Sequence, residues 1–250
     1  DNTRVVFVES PGSLTFEVQD IPAIAKVAHA KGAIVIGDMT WGTLLYQTPR
    51  DLGVDVTIHS TTKYTAGHSD LVMGTIYCNE DHYKNLLTTY RNLGPSPSAD
   101  NCYLTMRGLR TMAVRVKQQY ESALKVAAWL QKRPEVEAVL YPALPGAPGH
   151  DIWKRDFTGA ASLFSIALKP VSHDALTAMI DGLEYFGLGY SWGGYESLLI
   201  TFNTQSIRSA RPWPYKGPGV RLHIGLEHPD DIIKDLEAGF ARLNTKQKAA

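Results

Sequence analysis

The chain has 250 residues, with Lys+Arg and Asp+Glu both at 25, 44% apolar residues, 20% charged residues and two cysteines. This is globular composition rather than disorder, with length for one large domain or two modest ones. No basic excess exists to attract phosphates, which argues against nucleic acid as the main partner. No apolar run has membrane length, and two cysteines make no disulfide framework or CxxC zinc pair, so a reducing, cytoplasmic setting is expected.

In chain order, Val5 to Val8 reads as a buried strand closed by Ser10, Pro11 and Gly12. Asp20 reads as the N-cap of a helix with Pro22 in its first turn and Ile24, Val27 and Ala28 on one face, ending near Gly32. Ala33 to Gly37 is a second continuous apolar run with Asp38 at its end. Strand, helix and strand of this kind form a βαβ unit of a parallel sheet. Strands are expected over Val54–His59 and Leu71–Tyr77, and a helix over Asp81–Arg91. From about Ala99 to Lys132, the positions Met106, Leu109, Ala113, Val116, Tyr120, Leu124 and Ala127 keep a helical period. The segment Tyr141–His150, with three prolines and two glycines, reads as an exposed loop. Beyond it come strands at Leu163–Leu168, Leu198–Phe202 and Val220–Leu226, and helices at Asp174–Leu183 and Pro229–Leu243, with a frayed tail at Lys246–Ala250. The expected architecture is α/β: a mostly parallel sheet domain over 1–109, joined by the long helix to a smaller α+β domain over 110–250. The chain begins at the edge of a strand, which predicts a missing N-terminal segment or a companion chain.

The chemistry concentrates in Ser60-Thr61-Thr62-Lys63-Tyr64, directly after a predicted strand. A lone Ser/Thr/Lys cluster is most often a polar turn. At the C-terminal edge of a parallel sheet, where α/β folds bind ligands, such a lysine can instead form a Schiff base with an aldehyde cofactor, with Ser60 and Thr62 near its phosphate. Asp38 ends the preceding strand, 25 residues before Lys63. Alone it is a turn cap; paired with Lys63 it suits a carboxylate facing a pyridinium nitrogen. Together they outline a pyridoxal phosphate site. His59 and His68 flank Lys63 without metal-ligand spacing and read as hydrogen-bonding or surface histidines. Cys78 and Cys102 read as buried, inert thiols. Gly187-Leu188-Gly189 opens no helix as a dinucleotide fingerprint would.

The stretches Glu9-Ser10-Pro11, Asp38-Met39-Thr40-Trp41, Ser60 to Ser69, Tyr190 to Ser197 and Val220 to Glu227 resemble the Cys/Met-metabolism family of pyridoxal phosphate enzymes, fold type I. Arg107 to Arg110, Tyr141 to Gly146 and Phe157 to Gly159 extend the likeness over essentially the whole chain. The resemblance implies that Lys63 carries the cofactor as a Schiff base and moves the proton between Cα and the leaving sulfur. Asp38 would pair with the ring nitrogen, and Ser60 and Thr62 would help hold the phosphate. Arg221 would bind the substrate α-carboxylate, with Ser191 and Trp192 completing that pocket. Trp41 and Trp192 favour a carbon–sulfur lyase that cleaves a cysteine thioether such as L-cystathionine at Cβ, in methionine biosynthesis. A γ-lyase, a γ-synthase or an inactive subunit are the alternatives. The family likeness also implies a homotetramer built as a dimer of dimers. Two positions depart from the family pattern: Met39, where Asn is usual, and Thr65, where an aliphatic residue is common.

Overall fold

The computed structural model describes residues 2–204 and 208–249. Val5–Glu9 (β1) and Ile34–Asp38 (β2) pair in parallel, with Glu9 directly opposite Asp38. Between them lies Ile21–Ala30 (α1), whose N-terminus is capped by Asp20 accepting from the Ala23 amide. Ile21, Ala25 and Ala28 face inward and pack with Val8, Val35, Met39 and Val54. Each large aliphatic side chain buried in this way contributes about 1.5–3 kcal/mol. Thr43–Tyr46 (α2) and a 3₁₀ turn at Pro49–Leu52 lead into Val56–Ser60 (β3), parallel to β2.

Gly74–Cys78 (β4) pairs antiparallel with β3, giving the order β1-β2-β3-β4. The fourth strand therefore breaks the parallel pattern expected from the sequence. The connection between β3 and β4 contains no crossover helix, and a parallel return needs one. The loop instead closes on itself. The Thr62 amide and hydroxyl both donate to the Met73 carbonyl, and the Met73 amide donates back to Thr62 Oγ1.

Glu80–Leu93 (α3) starts at Asn79, which accepts from the His82 amide, and stops at Gly94 in the left-handed region. Ala99–Leu130 (α4) is unbroken through Arg110. The predicted apolar stripe holds only in its second half, where Val116, Ala123, Val126, Ala127 and Leu130 are buried. Met106 and Leu109 are exposed; the buried side of the first half is Thr105, Gly108, Met112 and Arg115. Gly108 faces the Thr65–Ala66 backbone so closely that a Cβ would collide with the Ala66 carbonyl. That contact selects a small residue and leaves no apolar periodicity to read.

The second sheet has the order β5-β6-β9-β8-β7. Its strands are Val136–Leu140 (β5), Leu163–Leu168 (β6), Phe186–Leu188 (β7), Ser197–Phe202 (β8) and Gly219–His223 (β9). All pairs are antiparallel except β7 with β8. The central strands β6 and β9 are buried along their whole length. His150–Asp156 (α5), His173–Ile180 (α6) and Pro229–Ala249 (α7) complete the elements. The core joins Phe164, Ile166, Val220 and Leu222 to the second half of α4 and to Ile232, Leu236 and Phe240 of α7.

Three further expectations change. Tyr141 to Leu144 is buried rather than exposed: the Tyr141 ring stacks on Phe164 and its hydroxyl donates to the Ala161 carbonyl at 2.7 Å. The tail is helical through Ala249, and Ala250 lies outside the described residues. Cys78 and Cys102 are half-buried rather than buried. Among the described residues no helix is long and apolar enough to cross a membrane.

Candidate active site

The ends of β1, β2 and β3 present Glu9, Asp38 and Ser60 at the C-terminal edge of the first sheet. Asp38 Oδ1 accepts from the Thr40 amide at 2.9 Å, and Thr40 Oγ1 accepts from the Ser60 amide at 2.9 Å. These two bonds lock the strand ends together. Among the described residues the Asp38 carboxylate forms no ion pair. Partial burial and the nearby Asp38 charge push the Glu9 carboxyl above its usual range.

Lys63 follows in a tight turn: its amide donates to the Ser60 carbonyl, and its carbonyl accepts from Gly67. The turn is anchored from α4. Arg115 donates to the carbonyls of Tyr64 at 3.0 Å, Thr65 at 3.3 Å and Gly108 at 2.8 Å. Lys63 Nζ donates to Ser191 Oγ at 2.8 Å and stands 5.2 Å from the Trp192 ring centroid. Burial lowers its pKa first, and the Arg221 charge lowers it further. A larger fraction of the amine is therefore free to attack or to take a proton near neutral pH. Arg221, on β9, is itself buried; its Nη2 donates to the Tyr190 carbonyl at 2.6 Å and reaches the Ser191 carbonyl at 3.5 Å.

A cavity of about 140 Å³ joins these groups, lined by Glu9, Asp38, Ser60, Lys63, Trp41 and Trp192, with Phe16 also in its lining. Lys63, Asp38, Ser60 and Trp192 thus share one cavity, and Ser191 and Arg221 adjoin it through Lys63 and the Ser191 backbone. Thr62 is not among its lining residues, its hydroxyl being engaged with Met73. His68 is exposed, with Nδ1 2.6 Å from the Ala66 carbonyl. His59 is not a surface residue: it is buried edge-on to Tyr77, and burial holds its pKa down.

Four participants escaped the reading of the sequence: Glu9, Arg115, Ser162 and His223. For Glu9 a signal was present, since it ends a strand just as Asp38 does. Ser162, just before β6, and His223, on β9, are far apart in the chain and carry no local signal. His223 is fully buried, and that burial, with Arg221 and Lys63 nearby, pushes its pKa down to about 4 despite the bond to Gly194. Its folded value lies below the ordinary 6.5, so the unfolded chain binds the extra proton first. Stability is therefore expected to fall as pH drops from about 6.5 to about 4. Urea midpoints across that window check this, and His223→Gln should flatten the slope.

The chain matches the family described as Cys/Met metabolism PLP-dependent enzyme over residues 1–241. It belongs to that family. Within the family it is 46% identical over 248 residues to cystathionine beta-lyase of Escherichia coli, covering 97% of this chain and 63% of that protein. It is 44% identical over 250 residues to an L-alanine/L-glutamate racemase of Wolbachia pipientis, covering 98% of this chain and 62% of that protein. Among solved structures it is similar to the cystathionine gamma synthase of Xanthomonas oryzae in complex with aminoacrylate and cysteine. That likeness has a TM-score of 0.88 and 32% identity, over 97% of this chain and 64% of that one. The chain thus spans somewhat less than two thirds of the length of these relatives.

The family's cofactor is pyridoxal phosphate, and the site fits it. A carboxylate without a cationic partner and an amine of lowered pKa face one cavity. Those are the two groups needed at a pyridine nitrogen and an aldehyde carbon.

Proposed function

We propose that this chain carries the lysine-bearing part of a carbon–sulfur lyase that cleaves L-cystathionine, or a related cysteine thioether, by β-elimination. The products are homocysteine, pyruvate and ammonia. The observation that carries this reading is the Lys63 residue, its amine hydrogen-bonded to Ser191, lining the same cavity as Asp38.

Pyridoxal phosphate, when bound, supplies an electron sink conjugated to the substrate's Cα. Asp38 would hold a proton on the ring nitrogen and so maintain that sink. Ser60 would meet the phosphate, with Thr62 behind it as a brace of the loop. Arg221 would take the α-carboxylate on the part of its fork not spent on Tyr190 and Ser191. Lys63 Nζ would remove the Cα proton and pass it to the departing sulfur, so that the Cα–H pair of electrons forms the Cα–Cβ double bond as the Cβ–S pair leaves. Ser191 would steer the amine between these two positions. The three-carbon fragment then hydrolyses to pyruvate and ammonia. Trp41 and Trp192 narrow the cavity and limit water at Cα. We also propose residues 1–109 as part of the cofactor domain, 110–250 as the second domain, and a cytoplasmic dimer of dimers.

The test is product analysis with L-cystathionine after loading with the cofactor. Pyruvate in step with homocysteine supports the β-lyase. 2-Oxobutyrate would assign the γ-cleaving reaction, and inversion of L-alanine without pyruvate would assign the racemase chemistry of the Wolbachia relative.

A further inference from the structure

His223 has no part in the chemistry above, yet it lies two residues beyond Arg221 on the same side of β9. It is 1% exposed and bonded at both ring nitrogens. Nδ1 lies 3.1 Å from Ser162 Oγ. Ser162 Oγ lies 3.2 Å from the Tyr64 hydroxyl, which also accepts from the Ser162 amide. On the other side, Nε2 meets the Gly193 amide at 3.1 Å and the Gly194 carbonyl at 3.2 Å. The ring accepts from Gly193 in one tautomer and donates to Gly194 in the other, so it grips the turn in both. Gln119, also fully buried, secures the same Gly194 carbonyl at 2.6 Å.

The gripped turn rests directly on the catalytic loop. Gly193 has φ +84°, and a Cβ there would stand 2.8 Å from the Tyr64 amide nitrogen and 3.0 Å from Lys63 Cα. Ser191 and Trp192, which border the Lys63 amine, immediately precede it. The contacts therefore close a ring: Tyr64, Ser162, His223, Gly193, and back to the Lys63–Tyr64 backbone.

We propose that His223 is a positioning residue that clamps the Gly193–Gly194 turn onto the Lys63–Tyr64 backbone and thereby sets Ser191 and Trp192 against the Lys63 amine. The proposal rests on the reading of Lys63 as the working amine.

The test is competitive acylation of Lys63 in the protein before cofactor is added, followed by peptide mass over about pH 7 to 11, where a lysine titrates. His223→Phe should move the Lys63 midpoint by at least about half a unit, roughly a threefold change in its acid constant. After loading, the same variant should raise KM as well as lower kcat. His223→Gln, which retains a hydrogen bond to the turn, should restore most of the wild-type profile. If His223→Phe does not fold, Ser162→Ala cuts the same ring more gently and should move the midpoint in the same direction. An unmoved Lys63 midpoint in a folded His223→Phe or Ser162→Ala protein overturns the proposal. Acylation does not depend on which substrate is cleaved. A shifted midpoint in the variant, together with a wild-type protein that forms no pyruvate, therefore refutes the lyase reading and still supports the clamp.

Discussion

On the proposed reading, Lys63→Ala is expected to lower cystathionine cleavage by about a thousandfold or more, because one side chain would serve both as proton carrier and as covalent anchor. The structure offers no substitute. Ser191 Oγ stands 2.8 Å from the amine but is an ordinary hydroxyl, and Arg221 keeps its charge throughout the neutral range. Folding should be little affected, since the Lys63 side chain is only part-buried and its one hydrogen bond is to Ser191. Two measurements check this together. Pyruvate release should vanish, and borohydride reduction with pyridoxal phosphate should no longer label the peptide around residue 63, while circular dichroism stays unchanged. Substantial turnover in this variant would show that another group moves the proton.

The second large effect concerns stability. Arg115→Ala should destabilise the protein by about 2–4 kcal/mol, since a buried acceptor that loses its donor costs about 1–3 kcal/mol. Arg115 is 7% exposed and holds the carbonyls of Tyr64, Thr65 and Gly108 at once. Its guanidinium fills the space beside Gly67, whose φ of +69° suits only glycine without strain. Removing it takes this donor from the Tyr64 and Thr65 carbonyls, in the loop that carries Lys63, while the Gly108 carbonyl keeps a bond from Thr111 Oγ1. A loss of this size is a large share of the roughly 5–15 kcal/mol that holds a typical domain together. Arg115→Lys should recover only part, because a single ammonium lacks the planar fork that reaches three acceptors. A urea midpoint for Arg115→Ala within 1 kcal/mol of wild type would contradict this account.

What the sequence revealed follows from where the information sits. Asp38 ends a continuous apolar run and Lys63 follows an alternating one, Val54-Asp55-Val56-Thr57-Ile58, so local patterns place them at strand ends, and β2 beside β3 is what the structure contains. Ser191, Trp192 and Arg221 had no such signal; only the family resemblance marked them. The antiparallel β4 escaped because strand direction depends on how the loop folds back, and the Thr62–Met73 bonds that decide it are invisible to hydropathy. The first half of α4 was misread for a related reason. Its buried side is built from Thr105, Gly108 and Arg115, chosen for close approach and hydrogen bonding rather than for oiliness. The three-residue β7 is too short for any period to emerge, and Glu137 interrupts the apolar run of β5.

Asp38 and Lys63 are near neighbours in the chain, whereas Lys63 and Ser191 are separated by 128 residues. During synthesis the two halves of the cavity are therefore made at very different times. The sheet edge bearing Asp38 and Ser60 needs only local closures, but Ser191, Trp192 and Arg221 can meet around Lys63 only after β9 has been made and has paired. A prematurely terminated chain would display Lys63 as an ordinary, fully protonated surface amine, slow to react with an aldehyde. The lowered basicity of Lys63, which burial and the Arg221 charge produce together, arrives only once β9 has paired, so on the reading proposed above the amine becomes reactive only in the folded chain.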